Sequence, residues 1–521
     1  MSRDAGSIGR GLAPARPARA IAPGERIHVV GAAGAGASGA ALLAWHAGAA
    51  PDGCDAGGPS PYTPPLEAAG IPLAWVHDAA HVTRAPRPDR LAVTKALTAV
   101  APDHPELAAA RALGVPLEPW QQVVADAAVG RTLVGVAGTH GKSTTSGWLV
   151  HLLVTAGLDP SAFVGALMPS SVTGGLPATA RRGRGATFVV EADEYAGNFD
   201  PYRPRIAVLT NAEWDHPDVF ADLDAVVDAF AGWLSAAGPA TTVVANVADA
   251  GVEQILDRVA ATDPGGRLIA VALVDQAARR LGGYSRGIAE RHARPGGAPD
   301  VVLGRVVRAD PDGTEVEIHG LDPLAGPLRV RLPTAGRHNA ANALSVAGAA
   351  LALGVPAGAI LAGLATFPGV GRRLERKGEA GGVVVYDDYG HHPTAIRETL
   401  LAVRQREPGR RVWAVYEPLT FHRTAALLGS FADVLATADG VAIADVWAGR
   451  DTDPTVASAA ELAEATARRR PGLEVAAPGD IEATAAWLAT AVRPGDVVLV
   501  MGGGRSYRIG ELLLDALRRD G

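Results

Sequence analysis

With 521 residues the chain is longer than one ordinary hydrophobic core organises, and its length suggests about three domains. Its net charge of -7, pI near 6.1 and lack of a concentrated basic segment argue against a nucleic-acid groove, while a small phosphorylated ligand stays compatible. Cys54, the single cysteine, excludes an internal disulfide and fits a reducing compartment, and no uncharged run of about 18 apolar residues marks a membrane span.

Residues 1–26 are rich in Ala, Arg, Pro and Gly. They are expected to form a disordered tail rather than a transit peptide, because the same bias pervades the chain. Residues 27–30 read as a strand running into Gly31, Gly34, Gly36 and Ser38 and then an Ala/Leu-rich helix to His46. Such a Rossmann-like unit suits a nucleotide-containing ligand, although its glycines also serve helix–strand packing. Strands at 73–76 and 91–94 alternate with helices at 105–113 and 120–128, so a first α/β domain is expected over 27–128.

A second domain, 129–369, opens on an apolar strand at 133–136 followed by Gly138, Thr139, His140, Gly141, Lys142, Ser143 and Thr144. Backbone N–H groups and a helix dipole at such a turn surround an anion, while Lys142 and the Ser143 hydroxyl can reach terminal phosphates and Mg²⁺. The usual P-loop spacing would put a glycine where Val136 stands, so this is a compressed variant, to be weighed against a turn that merely carries glycines. Lysine is otherwise confined to Lys95 and Lys377, and that scarcity favours the phosphate reading. A strand at 187–190 ends in Glu191, Asp193 and Glu194, and one at 206–209 ends in Thr210, Asn211, Glu213, Asp215 and His216. If both neighbour the loop strand in a parallel sheet, they build a site for Mg²⁺ and a triphosphate; separately, each is equally an acidic turn. Residues 275–328 read as a β excursion without chemistry. His338 and Asn339 then open a helix, with Asn339 as either its cap or a partner for an adenine edge.

Residues 369–377 lack a hydrophobic pattern and are expected to be a hinge to a third domain, 370–521. There, apolar strands end in polar clusters: Asp387, Asp388, Tyr389, His391 and His392 at one tip, Glu417 to Arg423 at the next, Asp445 at a third. The predicted fold is α/β with three domains: Rossmann-like, P-loop-type ATPase and Rossmann-like again.

Together and in this order, IHVVGAAGAGASG, GTHGKSTTS, EADE, TNAEWDH, GRHNAANALS, RRLE and DDYGHHPTAI resemble the Mur ligase family over nearly all of residues 27–506. The resemblance implies an ATP-dependent, ADP-forming acid–amino-acid ligase of peptidoglycan synthesis. Its expected substrates are UDP-N-acetylmuramate, activated at the lactyl carboxylate as an acyl phosphate, and L-alanine. It implies that Lys142 grips the β and γ phosphates, that Ser143 and Glu191 hold one Mg²⁺, and that His216 helps hold a second. His338 and Asn339 would lie by the adenine and Asp387 near the ribose. Gly31, Gly34, Gly36 and Ser38 would cradle the uridine diphosphate, while Tyr389, His391, His392 and Arg423 would line the amino-acid side. Neither nucleic acid nor membrane is an expected partner; a cytoplasmic monomer or homodimer is.

The match departs in two places. Leu419 and Thr420 stand where alanine-adding members carry His and Arg, so either His422 partly replaces the lost charge or the acceptor differs. Ala33 and Ala37 replace the usual Gly and Met of the first turn. A sibling enzyme that attaches an intact peptide to the same sugar nucleotide shares the Glu191–Tyr195 run, whereas GHHPT follows the alanine-adding form. A non-catalytic nucleotide scaffold is the rival from another class, and the retained Lys142, Glu191, His216 and Asp387 oppose it.

Overall fold

The computed structural model describes residues 8–262, 266–274, 287, 300–322, 326–449, 451 and 453–519. Their strands are mostly continuous apolar runs, as parallel strands covered by helices on both faces must be. In the first sheet Arg26–Val30 sits at the centre, between Ala50–Cys54 and Arg90–Val93, with Leu73–Ala74 and Leu117–Pro119 at the edges, all parallel. The second sheet has ten strands, and Thr132–Ala137 lies inside it. Its two neighbours are Thr187–Glu191 and Ile206–Leu209, both parallel to it, so the condition for a shared phosphate site is met. The third sheet has six strands, in which Val497–Gly502 pairs in parallel with Val383–Asp388 on one side and Val412–Glu417 on the other.

The helix Lys142–Thr155 that follows the phosphate loop is buried on nearly every side, which is why its apolar residues show no single stripe. Trp148 has no exposed surface and stacks on Phe367 with centroids 4.6 Å apart and rings 9° from parallel. That packing anchors the loop from behind.

Three expectations are corrected. The segment at 8–25 packs on the first domain: Ala13 N donates to Leu117 O at 2.7 Å, Ile21 is buried, and Arg16 reaches both Glu118 and Asp126. Its arginines find buried carboxylates there, which composition alone did not reveal; residues 1–7 lie outside the described residues. The expected β excursion instead extends the central sheet, since Asp300–Asp310 pairs in parallel with Leu268–Leu273 and is followed by antiparallel Gly313–His319 and Leu328–Leu332. Residues 275–286, 288–299 and 323–325 of it lie outside the described residues. The hinge is shorter than 369–377, because Glu375–Ala380 is already a strand antiparallel to Val383–Asp388. One strand that the sequence analysis did not identify, Ala50–Cys54, has the sequence Ala-Pro-Asp-Gly-Cys, which carries no strand pattern.

Charge pairing binds the first domain internally. Arg90, 2% exposed, donates through Nη1 to Glu118 and Asp126, each at 2.6 Å, and its Nε lies 3.0 Å from Glu25. Burial alone would raise the Glu25 carboxyl, but Arg19, the Ala22 N–H and Arg90 bring it down to about 2. Removing the buried cation leaves Glu118 and Asp126 to the more exposed Arg16 and Glu25 to Arg19, so Arg90→Ala is expected to cost about 1.5–3 kcal/mol in urea unfolding, the scale of a lost hydrogen bond to a charged group. Because Glu25 titrates lower folded than unfolded, its contribution is full above about pH 4.3 and is lost as pH falls towards 2. An Arg90→Ala variant with an unchanged urea midpoint would disprove the role of this network.

Candidate functional site

The phosphate loop leaves its strand at Gly138, whose φ of +137° and crowding both exclude a side chain: a Cβ there would come 2.1 Å from Thr210 Oγ1. The tip of the adjacent strand buttresses the loop. Asn211 accepts from His140 N at 2.8 Å through its side-chain oxygen and from Thr139 N at 3.1 Å through its carbonyl, while Thr210 Oγ1 donates to His140 O at 2.7 Å. Gly141, also at positive φ, starts the helix, and Lys142 and Ser143 follow in its first turn. The Lys142 ammonium donates to Glu194 Oε2 at 2.8 Å and to the loop carbonyls of Gly138 and Thr139. Burial opposes its charge, yet Glu194 and Asp193 raise its pKa; burial in turn pushes Glu194 up to about 7.

Ser143 Oγ donates to Glu191 Oε1 at 2.9 Å and accepts from Arg373 at 2.8 Å, and Gly165 N donates to the other Glu191 oxygen at 2.5 Å. On the opposite flank, Asp193, Glu194 and His216 bring one ligand atom each within 4.8 Å of one another. His216, at φ +55°, takes a hydrogen bond on Nδ1 from Arg423 at 3.1 Å. Arg423 also pairs with Asp215 in a contact buried on both sides. Burial alone would raise Asp215, but Arg423 and then His216 hold it well below the usual carboxylate range.

His391 and His392, at the tip of Val383–Asp388, close the cavity from the third domain. Burial and Arg423 hold His391 well below the ordinary histidine value. Its Nδ1 lies 2.9 Å from Tyr389 O, which requires the proton on Nδ1 and leaves a lone pair on Nε2. Burial and the nearby His140 take His392 down to about 4. Glu213 accepts from Thr394 Oγ1 at 2.7 Å and lies 3.4 Å from His140 Nε2, which with His392 offsets its burial and brings it to about 2.

Thr139, His140, Gly141, Lys142, Ser143, Thr144, Glu191, His216, His338, Asn339, Tyr389, His391 and His392 all line one cavity of about 600 Å³, which Gly36 also reaches. Seven carboxylates, Glu191, Asp193, Glu213, Asp215, Asp249, Asp388 and Glu398, line it against the cations Lys142 and Arg373, so an incoming polyphosphate needs added cations. Gly138 stands just behind, and Arg423, 3% exposed, lies beneath Asp215 and His216. Asn339 is not the helix cap, since Gly336 is; its amide nitrogen donates to Ala335 O at 2.8 Å. Asp387 is displaced from this cavity: it is 1% exposed, paired with Arg372 at 3.0 Å, and burial pushes it up to about 6. It borders instead a neighbouring space of about 550 Å³ beside the hinge.

The glycine turn of the first domain is closely packed. A Cβ at Gly36 would enter the Trp120 ring at 2.2 Å. Gly31 and Ala32 donate to Cys54 O, Ala33 N to Asp55 at 3.1 Å, and Gly34 N to Gly31 O at 3.0 Å. Ser38 turns its hydroxyl to Ala35 O and to Thr179 of the central domain. The sequence reading placed Glu213 and Asp215 only collectively, in the polar strand tip of the expected Mg²⁺ and triphosphate site, and Arg372 and Arg373 only within the expected hinge; it gave none of the four an individual role.

A phosphate loop between two carboxylate-tipped strands, closed over by a third domain's histidines, defines an ATP-dependent ligase of three α/β domains. The Mur ligase family, catalytic domain, matches residues 26–132; the Mur ligase middle domain, 136–350; and the Mur ligase, glutamate ligase domain, 372–504. The chain belongs to the Mur ligase family. A UDP-N-acetylmuramate–L-alanine ligase from Frankia casuarinae is 37% identical, the match covering 95% of this chain and 98% of that one. The crystal structure of a UDP-N-acetylmuramate-alanine ligase from Thermotoga maritima shares the fold, with a TM-score of 0.72 at 23% identity, covering 95% of this chain and 100% of the other. A murein peptide ligase from Psychrobacter arcticus shares it too, at TM-score 0.70 and 24% identity, covering 95% and 99%.

In an NMR titration His392 is expected to protonate near pH 4 instead of near 6.5, so it is neutral throughout the working range. Because its folded value is depressed, the stability it contributes is full above about 6.5 and declines as pH falls towards 4. A midpoint at 6 or above would contradict the buried, cation-flanked environment described.

Proposed function

We propose that the protein is an ADP-forming ligase that joins L-alanine to the lactyl carboxylate of UDP-N-acetylmuramate, in peptidoglycan precursor synthesis in a bacterial cytoplasm, as a monomer or homodimer. What supports this is the meeting, at one cavity, of the phosphate loop with the neutral histidines of the third domain, backed by the buried Arg423. The relative from Frankia with that name, matched along nearly its whole length, supports the choice of substrates.

The γ-phosphoryl group of ATP passes to the lactyl carboxylate and ADP leaves. The amine of L-alanine then attacks the acyl carbon; as the C–N bond forms, the C–O bond to phosphate breaks and inorganic phosphate departs. Lys142 holds the β and γ phosphates after turning from Glu194. The residues fit Mg²⁺, since Ser143 and Glu191 offer oxygen donors 2.9 Å apart and His216 faces Asp193 and Glu194. Mg²⁺ bound there would neutralise charge on the transferring group, which such reactions need more than covalent help. His338 and Asn339 are assigned to the adenine and Asp387 to the ribose, the latter requiring its release from Arg372. The turn Gly31, Gly34, Gly36 and Ser38 is assigned to the uridine diphosphate, which Asp55 must vacate at Ala33 N.

On the acceptor side, His391 keeps an unprotonated Nε2 to accept a hydrogen bond from the incoming amine. Tyr389 and His392 flank it. Arg423 Nη1 is buried without an acceptor, and we assign it to the amino-acid carboxylate. Leu419 puts an apolar wall where alanine-adding members carry a histidine, which suits a small apolar side chain.

Phosphate release with UDP-N-acetylmuramate, ATP and Mg²⁺ should be led by L-alanine over glycine, L-serine and the L-Ala-γ-D-Glu-diaminopimelate tripeptide. Turnover with the tripeptide alone would transfer the protein to peptide recycling. Lys142→Ala is expected to lower kcat by about 10²–10³-fold, equal to about 3–4 kcal/mol, the scale of losing one preorganised charge-stabilising contact. Near-normal turnover in that variant would remove the loop from the chemistry.

A further inference from the structure

Away from the nucleotide cavity, the first domain gathers a second set of ligating side chains that the proposed reaction does not use. His28 comes from Arg26–Val30, Cys54 from the end of Ala50–Cys54, His81 from Ala80–Thr83 and Glu106 from the first turn of Pro105–Leu113. One donor atom from each lies within 4.8 Å of all the others. Cys54 Sγ is 3.4 Å from His28 Nε2 and 3.1 Å from Glu106 Oε1, and His28 Nε2 is 3.7 Å from that same oxygen. A tetrahedral ion with metal–sulfur bonds of about 2.3 Å and metal–nitrogen bonds of about 2.0–2.1 Å needs donors about 3.3–3.6 Å apart. These three edges are therefore within a few tenths of an ångström of the requirement. His81 Nδ1, at 2.6 Å from Glu106 Oε1, has to open by under 1 Å.

A hydrogen-bonded cluster of the same groups is the competing explanation, and two observations exceed it. His104, 5% exposed, has no hydrogen-bond partner on either ring nitrogen, though its Nδ1 points to within 3.9 Å of Glu106 Oε2 and its ring stands 4.4 Å from that of His77. An unpartnered buried imidazole is costly unless something else engages it. His28 Nδ1, meanwhile, lies 2.9 Å from Asp52 Oδ1, so the ring is held with Nε2 facing the thiol. This carboxylate–histidine arrangement is the one that orients metal-bound imidazoles.

We propose that His28, Cys54, His81 and Glu106 form a binding site for a zinc-class divalent cation, with His77 and His104 at the second oxygen of Glu106. A thiolate and imidazoles beside one carboxylate select such an ion over Mg²⁺ or Ca²⁺, which take oxygen donors. Cys54 binds as the thiolate and its proton passes to solvent. His77 and His81, with side chains 22% exposed, give the entry route. The carbonyl of Cys54 accepts from Gly31 N at 2.8 Å and Ala32 N at 3.0 Å, so the ion would fix the strand end on which the glycine turn rests.

The test is Co²⁺ binding to the purified full-length protein after chelator treatment. Cys54 is the only cysteine, so a sulfur-to-cobalt charge-transfer band can arise from this site and no other. The expected result is one such Co²⁺ per chain with tetrahedral visible bands, displaced by Zn²⁺. Cys54→Ser should abolish the charge-transfer band, and Asp52→Asn, at a half-exposed position, should weaken Co²⁺ affinity about 10–100-fold without altering the band shape or the urea midpoint. Absence of the band at saturating Co²⁺, its persistence in Cys54→Ser, or unchanged affinity in Asp52→Asn would overturn the proposal.

Discussion

The contact on which the candidate site most depends is the buried pair of Asp215 and Arg423, which ties the central domain to the third across 208 positions of sequence. Two charges removed from water repay their desolvation only when further hydrogen bonds satisfy them. His216 Nδ1 supplies one, accepting from Arg423. The backbone bends to allow it: Thr420 at φ +61° starts the helix Phe421–Ala426 at the angle that brings Arg423 inward, and His216 at φ +55° turns its ring to meet it. The same guanidinium helps keep His391 neutral. One ion pair thus joins the two domains, holds the ring of a candidate metal ligand and helps keep His391 neutral.

Much of this architecture was legible because its chemistry is local in sequence. A strand that ends in Gly138, Thr139, His140, Gly141, Lys142 and Ser143 has few alternatives once the glycine positions are seen to exclude side chains. The carboxylate-tipped strands announced themselves in the same way, and only their adjacency to Thr132–Ala137 needed the fold. The strand Ala50–Cys54 was not legible, since Pro51, Asp52 and Gly53 break every strand pattern and it is held by pairing on both sides. Residues 8–25 were misjudged for a related reason: Arg16 and Arg19 look like surface charge until Glu25, Glu118 and Asp126 are in place.

At the site, single residues separate what spacing can and cannot convey. Asn339 was equally a cap or a ligand-facing amide until Gly336 proved to be the cap. Asp387 reads as an open polar residue at a strand tip, yet Arg372 from the hinge occupies it. Ser38 sits in a motif that suggests phosphate and spends its hydroxyl on a neighbouring domain. In each case the deciding partner is remote in sequence, and no local pattern encodes it.

The hinge carries one more consequence through Arg373. Its guanidinium donates to Ser143 Oγ, so it uses an electron pair of the same oxygen that a cation on the phosphate loop would coordinate. The hydroxyl oxygen has a second lone pair, so the contact does not block coordination, but the guanidinium charge beside Ser143 repels any cation brought there. By thermodynamic reciprocity, a posture of the hinge that withdraws Arg373 would favour a cation at Ser143 by the same free energy with which that cation would weaken the Arg373 contact.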